Sequence, residues 1–60
     1  MTKSKDVIDG WIDAVNNEGH DLTNWEVGFM ESITEQFERD RFLTDRQEEI
    51  LERIYAEKTP

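Results

Sequence analysis

Cysteine is absent, so no disulfide can brace this chain and no thiolate metal centre can form. Proline occurs once, at Pro60, and glycine three times, which leaves no Pro/Gly linker or low-complexity tract to divide the chain. Apolar residues come in short groups such as Val7-Ile8 and Phe29-Met30. None approaches the roughly 20 residues of a membrane span, and none resembles the apolar core of a signal peptide. Lysine and arginine are missing from residues 6 to 38, a stretch that holds nine acidic residues. The net charge of −8 is therefore concentrated in the first two thirds of the chain. Such a field repels phosphate backbones and anionic membranes, so direct nucleic-acid binding and membrane binding are not expected.

Against these absences stand six aromatic residues, Trp11, Trp25, Phe29, Phe37, Phe42 and Tyr55, in only 60 positions. Aromatic side chains bury the most area per residue, and this number implies a packed core rather than disorder. A chain this short buries only about 60% of its unfolded surface, which allows one domain, residues 1–60. Self-association as a homodimer is a reading that so small a core leaves open.

The apolar periodicity is helical throughout and predicts an all-α bundle of about three amphipathic helices, near 4–17, 24–39 and 45–57. Val7, Ile8, Trp11, Ile12 and Val15 form the first stripe. Ser4 or Asp6 is the expected N-cap, and Gly19 is expected to end this helix in a left-handed conformation. Gly10, in mid-helix, would allow a neighbouring helix to come close. Thr23 and Glu26 have the spacing of a capping box, with Leu22 and Val27 placed for a hydrophobic staple. Trp25, Phe29, Ile33 and Phe37 follow at intervals of four and are read as that helix's buried stripe. Thr44 and Gln47 form a second capping box, ahead of a stripe of Ile50, Leu51, Ile54 and Tyr55. Arg39, Asp40 and Arg41 form a charged connection, after which Phe42 and Leu43 are expected to turn inward.

Catalysis finds little support. The one histidine, His20, sits in a polar connection with no Ser or Cys close in sequence, so a structural or solvated role is expected. No catalytic residues, cofactor or metal ligands are assigned, and the chain is read as no enzyme. An EF-hand register fails: with Gly19 at the sixth loop position, Ala14 and Trp25 fall where carboxylates are required.

Two resemblances run along the chain. Leu43, Thr44, Arg46, Gln47, Ile50 and Leu51 match the L-T-x-R-Q-x-x-I-L pattern of the first helix of winged-helix repressors. That helix does not read DNA, and no recognition helix or wing is expected in the five residues after Tyr55. A longer pattern joins Leu22, Thr23, Trp25, Glu26, Phe29, Ser32, Ile33 and Gln36 to Leu43, Thr44, Arg46, Gln47, Leu51, Glu52, Ile54 and Tyr55. Over residues 22–60 the chain resembles small helical proteins of tailed phages and prophages. This resemblance implies a shared fold and a location in the host cytoplasm, and it carries over no catalytic residue.

The surface supplies the functional expectation. Asp9 and Asp13, with Asp6, mark an acidic face on the first helix, and Glu31, Glu35 and Glu38 mark one on the second. Charged faces opposite apolar stripes usually serve solubility. Like charges at i, i+4 destabilise an isolated helix by a few tenths of a kcal/mol each, so their accumulation without lysine also suggests a field that is used. Trp11 and Trp25 are read as core residues by default, while one of them, or Tyr55, is also suited to a homodimer seam. The expected function is a non-enzymatic module that binds a protein partner through Glu31, Glu35, Glu38, Asp9, Asp13, Trp11 and Tyr55. The alternative is an acidic DNA-mimic that blocks a nucleic-acid-binding enzyme.

Overall fold

A computed structural model describes residues 4–60. Three helices follow in order, α1 (Lys5–Glu18), α2 (Asn24–Asp40) and α3 (Asp45–Lys58), and the described residues contain no strand. The all-α three-helix reading holds, with each helix end within about one residue of its expected position.

The helix starts follow from local chemistry. Ser4 is the N-cap of α1, its hydroxyl accepting from the Val7 N–H at 3.3 Å. At α2 the Thr23 hydroxyl accepts from the Glu26 N–H at 3.1 Å, and the Glu26 carboxylate accepts from the Thr23 N–H at 2.9 Å. Thr44 and Gln47 repeat the arrangement at α3, at 3.1 and 2.9 Å. Each box satisfies two amides that have no partner inside the helix, and a lost cap typically costs about 1 kcal/mol.

The core is drawn from all three helices and one loop: Ile8, Ile12 and Val15 from α1, Met30, Ile33 and Phe37 from α2, Leu43, then Leu51 and Ile54 from α3. None of these side chains is more than 4% exposed, so the three stripes close on one another without a second chain. Trp11, Leu22, Phe29, Ile50 and Tyr55 pack around the rim. Trp11 of α1 meets Tyr55 of α3 with ring centroids 5.7 Å apart, within the range of a favourable aromatic pair.

Several local expectations give way. Gly19 is extended (φ −66°, ψ 143°) rather than left-handed. Its need for no side chain has another cause: a Cβ there would collide with the Val15 carbonyl oxygen. Left-handed backbone occurs instead at Asp21 (φ 58°) and Arg41 (φ 54°). No neighbour approaches Gly10, where a Cβ would meet nothing within 4 Å. Val7 lies at the stripe's edge and is exposed, and so is Val27, the outer half of the expected staple. Arg39 and Asp40 belong to α2, which ends only at the left-handed Arg41. Leu43 alone plugs the α2–α3 turn, and Phe42 points outward at 56% exposure.

The largest departure is Trp25, which is 62% exposed instead of buried. The reason is geometric. With about 3.6 residues per turn, each step of four advances a side chain by about 40° around the axis. A row spaced by four therefore spirals, and Trp25 stands about 120° away from Phe37. Phe37 and Ile33 face the core, Phe29 lies at its margin, and Trp25 has wound out of it.

Candidate protein-interaction surface

Trp25 does not stand alone on the outer side of α2. Its ring stacks on that of Phe29, with centroids 5.3 Å apart and planes inclined by 12°. Phe29 is half-buried and rests against the core, so it anchors an otherwise exposed indole. Asn24, Gly28 and Ser32 complete a shallow open groove beside the two rings. The small residues matter here: a Cβ added at Gly28 would meet nothing within 4 Å, so no protein group fills the space.

Across the exposed ridge of α2 lies a second shallow groove, lined by Glu31, Thr34, Glu35, Glu38 and, from α1, Asn16. The Asn16 side-chain amide donates to the Thr34 hydroxyl at 3.1 Å and holds α1 to α2 at this point. Glu31, Glu35 and Glu38 are all exposed. The nearest cation in sequence, Arg39, is engaged by Asp40 through two hydrogen bonds of 3.2 Å. Those bonds, with Asp40's charge and a smaller contribution from Glu35, raise the guanidinium's pKa further above its ordinary value. Arg39 is thus directed toward Asp40 rather than spread along the glutamate row.

The remaining residues singled out by sequence occupy other places. Asp13 is exposed on α1, whereas Asp9 is half-buried and paired. Its two carboxylate oxygens accept from Arg41 at 2.9 and 3.4 Å, while the Arg41 guanidinium lies 4.5 Å over the Phe37 ring. Trp11 and Tyr55 are engaged with each other across the α1–α3 seam. The structure therefore gathers Glu31, Glu35 and Glu38 in one groove and distributes the other four elsewhere. Sequence reading missed the role of Trp25, Gly28 and Ser32 as one open face, although the helical drift described above was available to reveal it.

His20 is exposed and lies 3.3 Å from the Asp21 carboxylate. Its backbone N–H donates to the Lys58 carbonyl at 3.0 Å, and the Lys58 ammonium donates to the Asp21 carbonyl at 3.1 Å, which ties the end of α3 to the α1–α2 loop. Among the described residues, no helix is long and apolar enough to cross a membrane. No protein-family model, curated protein or solved structure matches this chain.

Proposed function

We propose that this chain is a non-enzymatic protein-interaction module, phage-encoded and acting in the host cytoplasm, whose docking face is the outer side of α2. The observation that carries this reading is Trp25: a tryptophan 62% exposed, stacked on an anchored phenylalanine, beside an open groove. Tryptophan and tyrosine are the residues that most often dominate binding energy at protein interfaces. The exposed indole of Trp25 also stands outside a core that closes without it. The likeness of residues 22–60 to small phage proteins supports the origin, and the net charge of −8 supports a partner that is not nucleic acid.

Affinity capture from the producing cell, followed by mass spectrometry, tests this reading with Trp25→Ala run beside the unaltered chain. Loss of a captured protein in the Trp25→Ala sample is the expected result. An identical capture profile would remove α2's aromatic face from the account.

A second reading has one specific observation in its favour. Glu31, Glu35 and Glu38 form an exposed carboxylate row with no lysine or arginine among them, as an acidic decoy for a nucleic-acid-binding enzyme would require. Under that reading capture survives Trp25→Ala and collapses on raising salt, because screening acts on charge and spares apolar contact.

A further inference from the structure

The α2 face carries a second message about what it binds, given that it is a docking face at all. One arrangement within the fold shows what the outer face lacks. At the end of α2, the Arg41 guanidinium lies 4.5 Å over the Phe37 ring while its nitrogens bond the Asp9 carboxylate. Cation, aromatic ring and carboxylate complete one another there. On the outer face the Trp25–Phe29 stack and the glutamates of the same helix are present, but among the described residues no cation lies over the stack, and Arg39, beyond Glu35, is turned to Asp40. Gly28 and Ser32 lie between them and keep the intervening surface low.

We propose that the outer face of α2 binds a basic, amphipathic helix of another protein, with an arginine seated on the Trp25 indole. The other basic side chains of that helix lie along Glu31, Glu35 and Glu38. Charge complementarity selects this occupant. The face lies within a stretch of 33 residues, 6 to 38, that contains no lysine or arginine. A second copy meeting it through the same face would bring a like-charged glutamate row against this one. Arginine is favoured over lysine because its planar, weakly hydrated guanidinium stacks on an indole while still donating to carboxylates. A helix is favoured because side chains spaced at i, i+3 and i+4 along one of its faces can follow the two shallow grooves that flank the outer side of α2.

The test uses a fluorescent synthetic peptide of about 18 residues, long enough at about 1.5 Å per residue to run the length of α2. It carries a row of arginines on one face with leucines flanking them along the same side, and is titrated by anisotropy against the full chain. Companion peptides replace every arginine by lysine or by glutamate. The arginine peptide is expected to bind several-fold more tightly than the lysine one, and the glutamate one not at all. Trp25→Ala and Gly28→Gln should each weaken binding by about tenfold or more. Gly28→Gln fills the groove at an exposed helical site where a side chain meets nothing, so its fold is retained and its thermal midpoint should rise. Glu31→Lys/Glu35→Lys should weaken binding strongly. Glu49→Lys/Glu52→Lys makes the same charge change on exposed residues of α3 and should leave binding within about twofold.

Equal losses from the α2 and α3 charge reversals would overturn the proposal, since net charge alone would then explain binding. Retention of affinity in Trp25→Ala would overturn it by leaving a charge-only contact. Self-association on a dilution series, abolished by Gly28→Gln, would assign the face to a second copy and overturn it too. Failure of the arginine peptide alongside Trp25-dependent capture from cells rejects only the partner's chemistry. Failure of both rejects the docking face itself.

Discussion

Gln36 and Gln47 exchange two side-chain amide hydrogen bonds of 3.1 Å each across the α2–α3 corner. The Gln47 oxygen also accepts from the Thr44 N–H at 2.9 Å, and the Gln36 amide donates to the Phe42 carbonyl at 3.1 Å. One residue thus completes a helix cap and locks two helices together. Replacing either glutamine by alanine should cost about 1 kcal/mol, because partly buried amide groups lose their partners. The double variant should cost less than the sum of the two, with a coupling of about 0.5–1.5 kcal/mol in urea titrations. Strict additivity would show that the pair is not formed in solution.

The Arg41–Asp9 pair is half exposed, at 45% and 47% of the two side chains, so its charge component should be small. Asp9→Asn is expected to lower stability by less than about 1 kcal/mol at low salt, and by nearly nothing at 1 M NaCl, where the screening length falls to about 3 Å. Arg41→Lys should retain a deficit at high salt, because it also removes the planar group covering the Phe37 ring. Chemical denaturation at two salt concentrations separates the two contributions.

Glycines at three positions should respond with opposite signs. Gly10→Ala and Gly28→Ala place a methyl group in open space on a helix, and each should stabilise by about 0.5–1 kcal/mol. Gly19→Ala drives its methyl into the Val15 carbonyl and should destabilise by more than about 1 kcal/mol. Thermal unfolding of the three variants is sufficient to read this order.

Aromatic truncations should divide by burial and not by residue size. Phe37→Ala, at a position 1% exposed, is expected to cost about 3–5 kcal/mol, enough to unfold a domain this small. Trp25→Ala and Phe42→Ala should each cost less than about 1 kcal/mol, since most of each side chain already meets water. A Trp25→Ala loss comparable to that of Phe37→Ala would place the indole inside.

Helix positions were legible from sequence because their punctuation is local. A threonine followed three residues later by Glu26 or Gln47 satisfies the first amides whatever the rest of the chain does. Core membership was legible at Ile33, Phe37, Leu51 and Ile54, which sit near the middle of their stripes. It failed at the margins, at Val7, Trp25 and Phe42, where a few tens of degrees of helix rotation or one loop torsion decides between core and water. The acidic row at Glu31, Glu35 and Glu38 could be placed on one face from spacing alone. Its relation to Asn16 of α1 needed the packing of the two helices. Asp9 looked like part of an open acidic face because its partner, Arg41, lies 32 positions away and reaches it only through the turn after α2. Gln36 and Gln47 each stand on a helix placed correctly from sequence, yet nothing in one dimension says that they meet.

The fold leaves the Trp25 indole in water. In a Trp11→Phe background Trp25 becomes the only tryptophan, and acrylamide quenching of its fluorescence over a dilution series reports its exposure directly. A free chain whose Trp25 emission is red-shifted and readily quenched at every concentration is the predicted result. A blue-shifted emission resistant to quenching at the lowest concentration would contradict it.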